Sequence, residues 1–157
     1  MKVDTFHFGE IEVLQEEIVT FSGGIPGFEQ LTSFAILRFE EHAPFYYLQS
    51  LQETMISFVI TNPFGVYPDY EFHLPISEQE ELEISEEAQL AVWSIVTIRD
   101  SAETATMNLL APIVVNVERR LGKQIVLHNS HYKTKHPIFR ENFEMPSGPS
   151  EALKGVE

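Results

Sequence analysis

Along this chain apolar side chains alternate with polar ones more often than they recur every third or fourth position, and a period of two marks strands with one buried face. Val3 and Thr5 start the pattern, residues 10–14 repeat it, and residues 16–21 continue it. Residues 34–39, 46–48 and 55–60 predict further strands, ended by a break at Asn62-Pro63. Residues 70–74 predict another, entered from a turn at Pro68-Asp69. The run 90–98 is rich in β-branched and aromatic residues, and residues 113–118 and 124–128 flank Arg119-Arg-Leu-Gly-Lys123, which reads as a hairpin with Gly122 free to take the left-handed conformation. Helix signals are few. Residues 77–87 open on a capping-box-like Ser77-Glu78-Gln79-Glu80, residues 85–89 form a second short candidate, and a turn is expected over 104–110. Turns every 8–12 residues or so favour a barrel or sandwich. The expected fold is mostly β: a small, twisted, antiparallel, β-barrel-like single domain with one or two short helices. It is expected to span residues 1–143, with 144–157 (Pro146, Gly148, Pro149, Gly155) as a flexible tail.

Composition narrows the possibilities. At 157 residues, one domain can bury a self-sufficient core. With no Cys there is no disulfide, thiolate nucleophile or Cys-based zinc site. The opening residues lack the apolar core of a signal peptide, and no apolar run reaches the ~18 residues of a membrane helix, so a cytoplasmic protein without membrane contact is expected. The net charge of −14 argues against direct contact with nucleic acid. That charge is unevenly distributed. Residues 1–98 carry 17 acids and 2 bases, a balance of −15, whereas residues 113–140 carry 6 bases against Glu118 alone. One part of the chain can pair with the other, and the acidic excess must face solvent or a partner.

Four groupings could carry chemistry or contacts. His128, His131 and His136 offer imidazoles for a metal-dependent enzyme, but a spacing of three at a strand end sends the first two rings to opposite faces unless Ser130 turns the chain, and no His-Glu-x-x-His helix accompanies them. The loop Gly23-Gly-Ile-Pro-Gly27 resembles a phosphate cradle only superficially, because Phe28-Glu29 places a carboxylate where a phosphate would sit. It reads instead as a structural turn, or as a partner-contact loop offering Ile25 and Phe28 as apolar knobs. Adjacent carboxylates in a strand point to opposite faces and make no acid–base pair by themselves, and the six glutamates between 78 and 87 read as a solvated face or an acidic docking patch. Aromatics gather around Phe45-Tyr46-Tyr47 and the turn bracketed by Phe64, Tyr67, Tyr70 and Phe72, either as core or as interface anchors. No nucleophile elbow or nucleotide fingerprint is present, so neither an enzyme nor a cofactor is indicated.

One ordered series of motifs is more specific than any of these. Gly24-Ile-Pro-Gly-Phe28 is followed by Pro44-Phe45 with Leu48-Gln-Ser50, then by Asn62-Pro63 and Tyr70. Thr106-Met-Asn-Leu-Leu-Ala-Pro112, Gln124-Ile-Val-Leu127 and Tyr132-Lys-Thr-Lys-His-Pro-Ile138 complete it. In this order the series resembles the flagellar assembly factor FliW family over about residues 2–143. The resemblance implies a β-barrel-like, non-enzymatic protein that binds flagellin, as a chaperone-like holder, and antagonises the translational repressor CsrA away from its RNA-binding surface, so that flagellin translation resumes. A direct acidic mimic of RNA is the competing form of the same idea. The expected contact residues are Ile25, Phe28 and Glu29 in the glycine loop, Phe45, Tyr46, Phe64 and Tyr70 around the aromatic turn, and the nearby acids Asp69 and Glu71. Asn108, Pro112 and His136 are expected to be structural, with Asn108 capping a turn.

Overall fold

The computed structural model describes residues 1–38 and 44–139. The expected end of one strand at Phe39, the Glu40-Glu41 pair, the domain boundary at 143 and the tail lie outside them. Eleven strands are described: β1 (Lys2–Thr5), β2 (Gly9–Glu12), β3 (Ile18–Thr20), β4 (Ser33–Arg38), β5 (Phe45–Ser50), β6 (Ser57–Thr61), β7 (Leu90–Thr97), β8 (Thr106–Met107), β9 (Ile113–Asn116), β10 (Leu121–Gln124) and β11 (His136–Pro137). One short helix, α1, covers Ile76–Glu81, and 3-10 turns cover Gln15–Glu17, Pro63–Gly65, Glu87–Gln89 and Ala102–Thr104.

The strands β3 to β7 pair antiparallel in chain order, β10 joins β3 through the parallel pair Leu121↔Thr20, and β9 pairs with both β10 and β7. That last pairing closes a seven-stranded barrel, as the alternation and turn spacing led us to expect. β8 continues along the same edge of β7 beyond β9, pairing Val96↔Met107, and β11 adds to β8. Closure gives each strand an inner and an outer side. Val19, Phe34, Leu48, Ile60, Trp93, Ile113 and Val115 come from six strands and pack together as the lumen.

Two wraps cover the outside. The hairpin of β1 and β2 lays Val3 and Ile11 against Ala35 and Leu37 of β4. The long excursion between β6 and β7 brings Phe64, Tyr70, Phe72, Leu74 and Leu82 onto Leu90, Val92 and Val114, and Ile125, Leu127 and Ile138 join them from the C-terminal side. Each large side chain so covered contributes about 1.5–3 kcal/mol. Asn116 fastens the excursion. It is fully buried at the end of β9; its amide donates to the carbonyls of Leu82 (2.8 Å) and Glu83 (3.1 Å), and its oxygen accepts the N–H groups of Glu118 (3.0 Å) and Arg119 (3.1 Å).

Several expectations need correction. The hairpin turn lies at Val117–Arg120, two to three residues earlier than expected, and its left-handed residue is Arg120 (φ 58°). Asn116 creates that turn by accepting two of its N–H groups. Gly122 lies within β10 for a different reason: a Cβ there would stand 2.6 Å from the ring of Phe21, which fills the lumen side at zero exposure. Residues 70–74 and 125–128 form no named strand, because the outer face of β7 and β9 recruits them as side-chain cover. Residues 15–17 are a 3-10 turn, with Leu14 N–H donating to the Glu17 carboxylate. α1 begins one residue early and has no side-chain cap at Pro75, so the Ser77 capping box does not form. Gln89, the end of the second helix candidate, is instead buried, and its oxygen accepts Ser85 N–H (2.8 Å) and Glu86 N–H (3.1 Å).

Two substitutions test this account. Gly122→Ala should lower stability by about 1–3 kcal/mol in urea denaturation, because the Phe21 ring it meets is packed against Phe34 and cannot retreat freely. Asn116→Ala should also cost about 1–3 kcal/mol by orphaning buried carbonyls; a loss under half a kcal/mol would mean that the excursion is anchored elsewhere.

Candidate functional site

The excursion and the segment after β10 meet along a cleft. From the excursion, the turn Pro63–Gly65 is capped by Asn62, whose side chain accepts Phe64 N–H at 2.9 Å, and the chain then runs through Tyr67, Pro68 and Asp69 to Tyr70. From the other side comes the segment 125–137. Between them lies a cavity of about 510 Å³ lined by Tyr67, Asp69, Tyr70, Glu71, Leu109, His131, Tyr132 and His136. A second, of about 500 Å³, shares Glu71, His131 and Tyr132 with it and continues past Phe72, His73, Val126 and His128. Tyr132 stands at their junction, edge-on to Tyr70 with centroids 4.7 Å apart, and its hydroxyl accepts Glu71 N–H at 3.2 Å.

The remaining polar atoms fix these walls. Tyr70 is buried and its hydroxyl donates to Leu109 carbonyl at 2.8 Å; burial, reinforced by Tyr132, pushes its phenol far above the ordinary range, so it stays a donor. Tyr67 donates to Pro137 carbonyl at 2.6 Å. Asn108 accepts Leu110 N–H (3.0 Å) and Ala111 N–H (2.9 Å), the turn cap expected of it. Asn129 takes a left-handed φ of 65° and Ser130 Oγ donates to Leu127 carbonyl, so the chain does turn between the histidines and His128 and His131 line the same cavity. Among the described residues no three His, Asp or Glu side chains are grouped as metal ligands.

The expected contact residues do not form one site. Asp69, Tyr70 and Glu71 come together at the cleft, the acids exposed on its rim and Tyr70 beneath. Phe64 is buried behind Tyr70, and Phe45 packs half-buried against the same outer cluster. Tyr46, the next residue on β5, faces the lumen, edge-on to Trp93 and beneath the Arg38 guanidinium, which lies 6.0 Å from its ring. The glycine loop lies apart. Ile25 is only 2% exposed and bridges to Phe28, and both pack on the lumen cluster, so Ile25 is no exposed knob. Gly24 takes φ +69°, and a Cβ there would lie 2.5 Å from the Glu29 backbone, so both the conformation and the space call for glycine. Glu29 is exposed, and the Gly27 N–H it accepts at 3.0 Å holds its carboxyl below the usual range. This loop borders a smaller depression of about 300 Å³, facing Glu81, Glu83 and Lys123. There Lys123 Nζ donates to Glu78 and Glu81, both at 2.6 Å, which raises the lysine's affinity for its proton and lowers that of Glu81.

Reasoning from the residues missed Tyr132 and His131 as cleft walls. Their signal was present only as the motif beginning at Tyr132, and no local pattern shows that a tyrosine reaches a backbone amide 61 positions away.

The cleft can hold an apolar or aromatic segment and orient it with polar groups on both rims. Among the described residues no helix is long and apolar enough to cross a membrane. Comparison with known proteins supplies the context. A family model described as FliW protein matches residues 2–138. The flagellar assembly factor FliW of Geobacillus thermodenitrificans is 43% identical, with 90% of this chain and 97% of that protein covered. That of Alkaliphilus metalliredigens is 38% identical over 100% of this chain and 98% of its own length. A crystal structure of the flagellar assembly factor FliW superposes with a TM-score of 0.83 at 42% identity, covering 90% of this chain and 99% of that one. The chain therefore belongs to the FliW family of flagellar assembly factors.

Proposed function

We propose that this flagellar assembly factor is a non-enzymatic cytoplasmic regulator that binds flagellin and antagonises the translational repressor CsrA allosterically, relieving repression of flagellin translation. Its working domain is residues 1–143, with 144–157 as a tail outside it. The family membership supports a role in flagellar assembly; the choice of partners rests on the resemblance and on physical fit.

The observation that carries the reading is the cleft with its acidic rim. An amphipathic helical segment of the kind found at flagellin's ends needs an apolar groove, and the cavity beside Tyr67, Tyr70 and Tyr132 is flanked by the exposed acids Asp69 and Glu71. Asp69 and Glu71 make no ion pair among the described residues, whereas Glu78, Glu81 and Glu83 are answered by Lys123 and Arg119. A basic RNA-binding protein such as CsrA would be drawn to the unanswered acids, and RNA phosphates would be repelled by them. Screening over ~8 Å confines both effects to close approach.

Purified protein mixed with CsrA should co-elute on size exclusion at low salt and separate as salt rises; failure to co-elute at low salt overturns the proposal. Added RNA distinguishes the two forms of antagonism, since strict mutual exclusion identifies direct mimicry and a ternary complex identifies the allosteric form. Replacing Asp69 and Glu71 by Lys should slow association with CsrA by about tenfold while changing dissociation less, as expected of steering charges. An unchanged association rate in stopped flow would remove these two acids from the contact surface.

A further inference from the structure

Four of the six histidines line the two joined cavities: His73, His128, His131 and His136. One of them holds a bond that a proton would break. His136 Nε2 accepts the Lys133 backbone N–H at 2.8 Å, so that nitrogen is bare. The Lys133 carbonyl accepts the N–H groups of Leu109 and Leu110, both at 3.1 Å. Residue 133 is thus where the cleft wall is tied on one side to the 109–110 turn and on the other to the imidazole. The wall reaches the facing one through Tyr132 hydroxyl to Glu71 N–H and through Tyr67 hydroxyl to Pro137 carbonyl.

We propose that His136 is a proton-sensitive latch of this cleft: unprotonated, it holds the Lys133 amide and keeps the 131–137 wall closed; protonated at Nε2 by solvent, it releases that amide and lets the wall move.

The surroundings favour release on protonation. Lys133 and His131 on the same segment add positive charge near the ring, Tyr67 (5.6 Å) and Tyr132 (6.2 Å) face it edge-on, and β8 presents Met107 and Thr106, which do not titrate. Asp69 and Glu71 line the same cavity and would attract an imidazolium that swung toward them. Burial first, then Lys133 and His131, holds His136 below the ordinary imidazole value. A folded-state affinity lowered in this way means that the latch is fully closed above about pH 6.5 and is lost as the pH falls through the folded value. The latch concerns the wall of the cleft and stands whether or not flagellin or CsrA occupies it.

The test is amide hydrogen exchange of the full chain by NMR at pH 7.5 and pH 5, corrected for intrinsic rates. Lys133 should lose about tenfold in protection on acidification, the equivalent of one hydrogen bond, while amides in β7 keep theirs. His136→Gln places an acceptor that cannot be protonated where Nε2 stood, and should keep Lys133 protected at both pH values; His136→Ala should leave it unprotected at both. Unchanged protection in the natural protein, an equal loss in His136→Gln, or loss in β7 together with Lys133 would overturn the latch. A titration that needs no variant decides the same point: the Lys133 amide shift must follow the midpoint of the His136 ring, and following His128 or His131 instead refutes the assignment.

Discussion

The burial of β7 on both faces is the constraint from which the rest of the architecture follows. Its seven residues Leu90 to Val96 all lie buried or half-buried, with Trp93 and Ile95 directed into the lumen and Leu90, Val92 and Val96 directed out. A strand in a barrel exposes its outer side unless something lies over it, and an apolar outer side left in water is a hydrophobic patch. Pairing of β7 with β9 closes the barrel, so that each covers the other's edge. The same pairing juxtaposes Leu90, Val92 and Val114 on the outside and makes a cover obligatory.

That cover creates the cleft. The stretch between β6 and β7 is long for a connection in a compact domain, and most of its large side chains are used against β7 and β9. It cannot complete the cover alone, so the segment after β10 supplies Ile125, Leu127 and Ile138. The excursion and the segment after β10 meet over one core, and a groove remains where they join. Across the join run the hydrogen bonds of Tyr67 to Pro137 carbonyl and of Glu71 N–H to Tyr132, and the edge-on contact of Tyr132 with Tyr70. Such a seam is less strongly fixed than the barrel beneath it, because each hydrogen bond contributes about 1 kcal/mol whereas the barrel is held by many buried side chains.

How legible this was in the sequence depended on range. A strand with one wet face, such as β1, shows itself by alternation, and β4 and β7 by continuous apolar runs that fit burial on both faces. In the sequence Gly122 looks like the pivot of the turn that the fold makes at 117–120. The demand on that glycine comes from Phe21, about a hundred positions away, and no local rule registers a ring waiting across the lumen. Residues 70–74 alternate as a strand would, yet their period of two serves to press Tyr70, Phe72 and Leu74 onto the outer core while Glu71 and His73 face out. Alternation reports one buried side and leaves open whether a neighbouring strand is paired. For the same reason the aromatic turn was recognisable as important from its composition, while the burial of Phe64, Tyr70 and Ile25 depended on partners far along the chain.

The charge asymmetry takes on a spatial meaning in the fold. Part of the acidic excess is cancelled where the basic hairpin region reaches the helix: Lys123 lies between Glu78 and Glu81, and Arg119 approaches Glu83 at 3.8 Å. The six glutamates from 78 to 87, the densest acidic run in the sequence, therefore form a surface partly neutralised by the protein itself. Asp69 and Glu71 belong to a sparser stretch, but among the described residues no cation answers them, and they stand on the rim of an apolar cleft. Because exposed charges are screened within about 8 Å, what an approaching molecule senses is the local remainder after such pairing. Density along the sequence is thus only a first guide to local charge: Lys123 and Arg119 offset part of the glutamate run, whereas among the described residues nothing offsets Asp69 and Glu71.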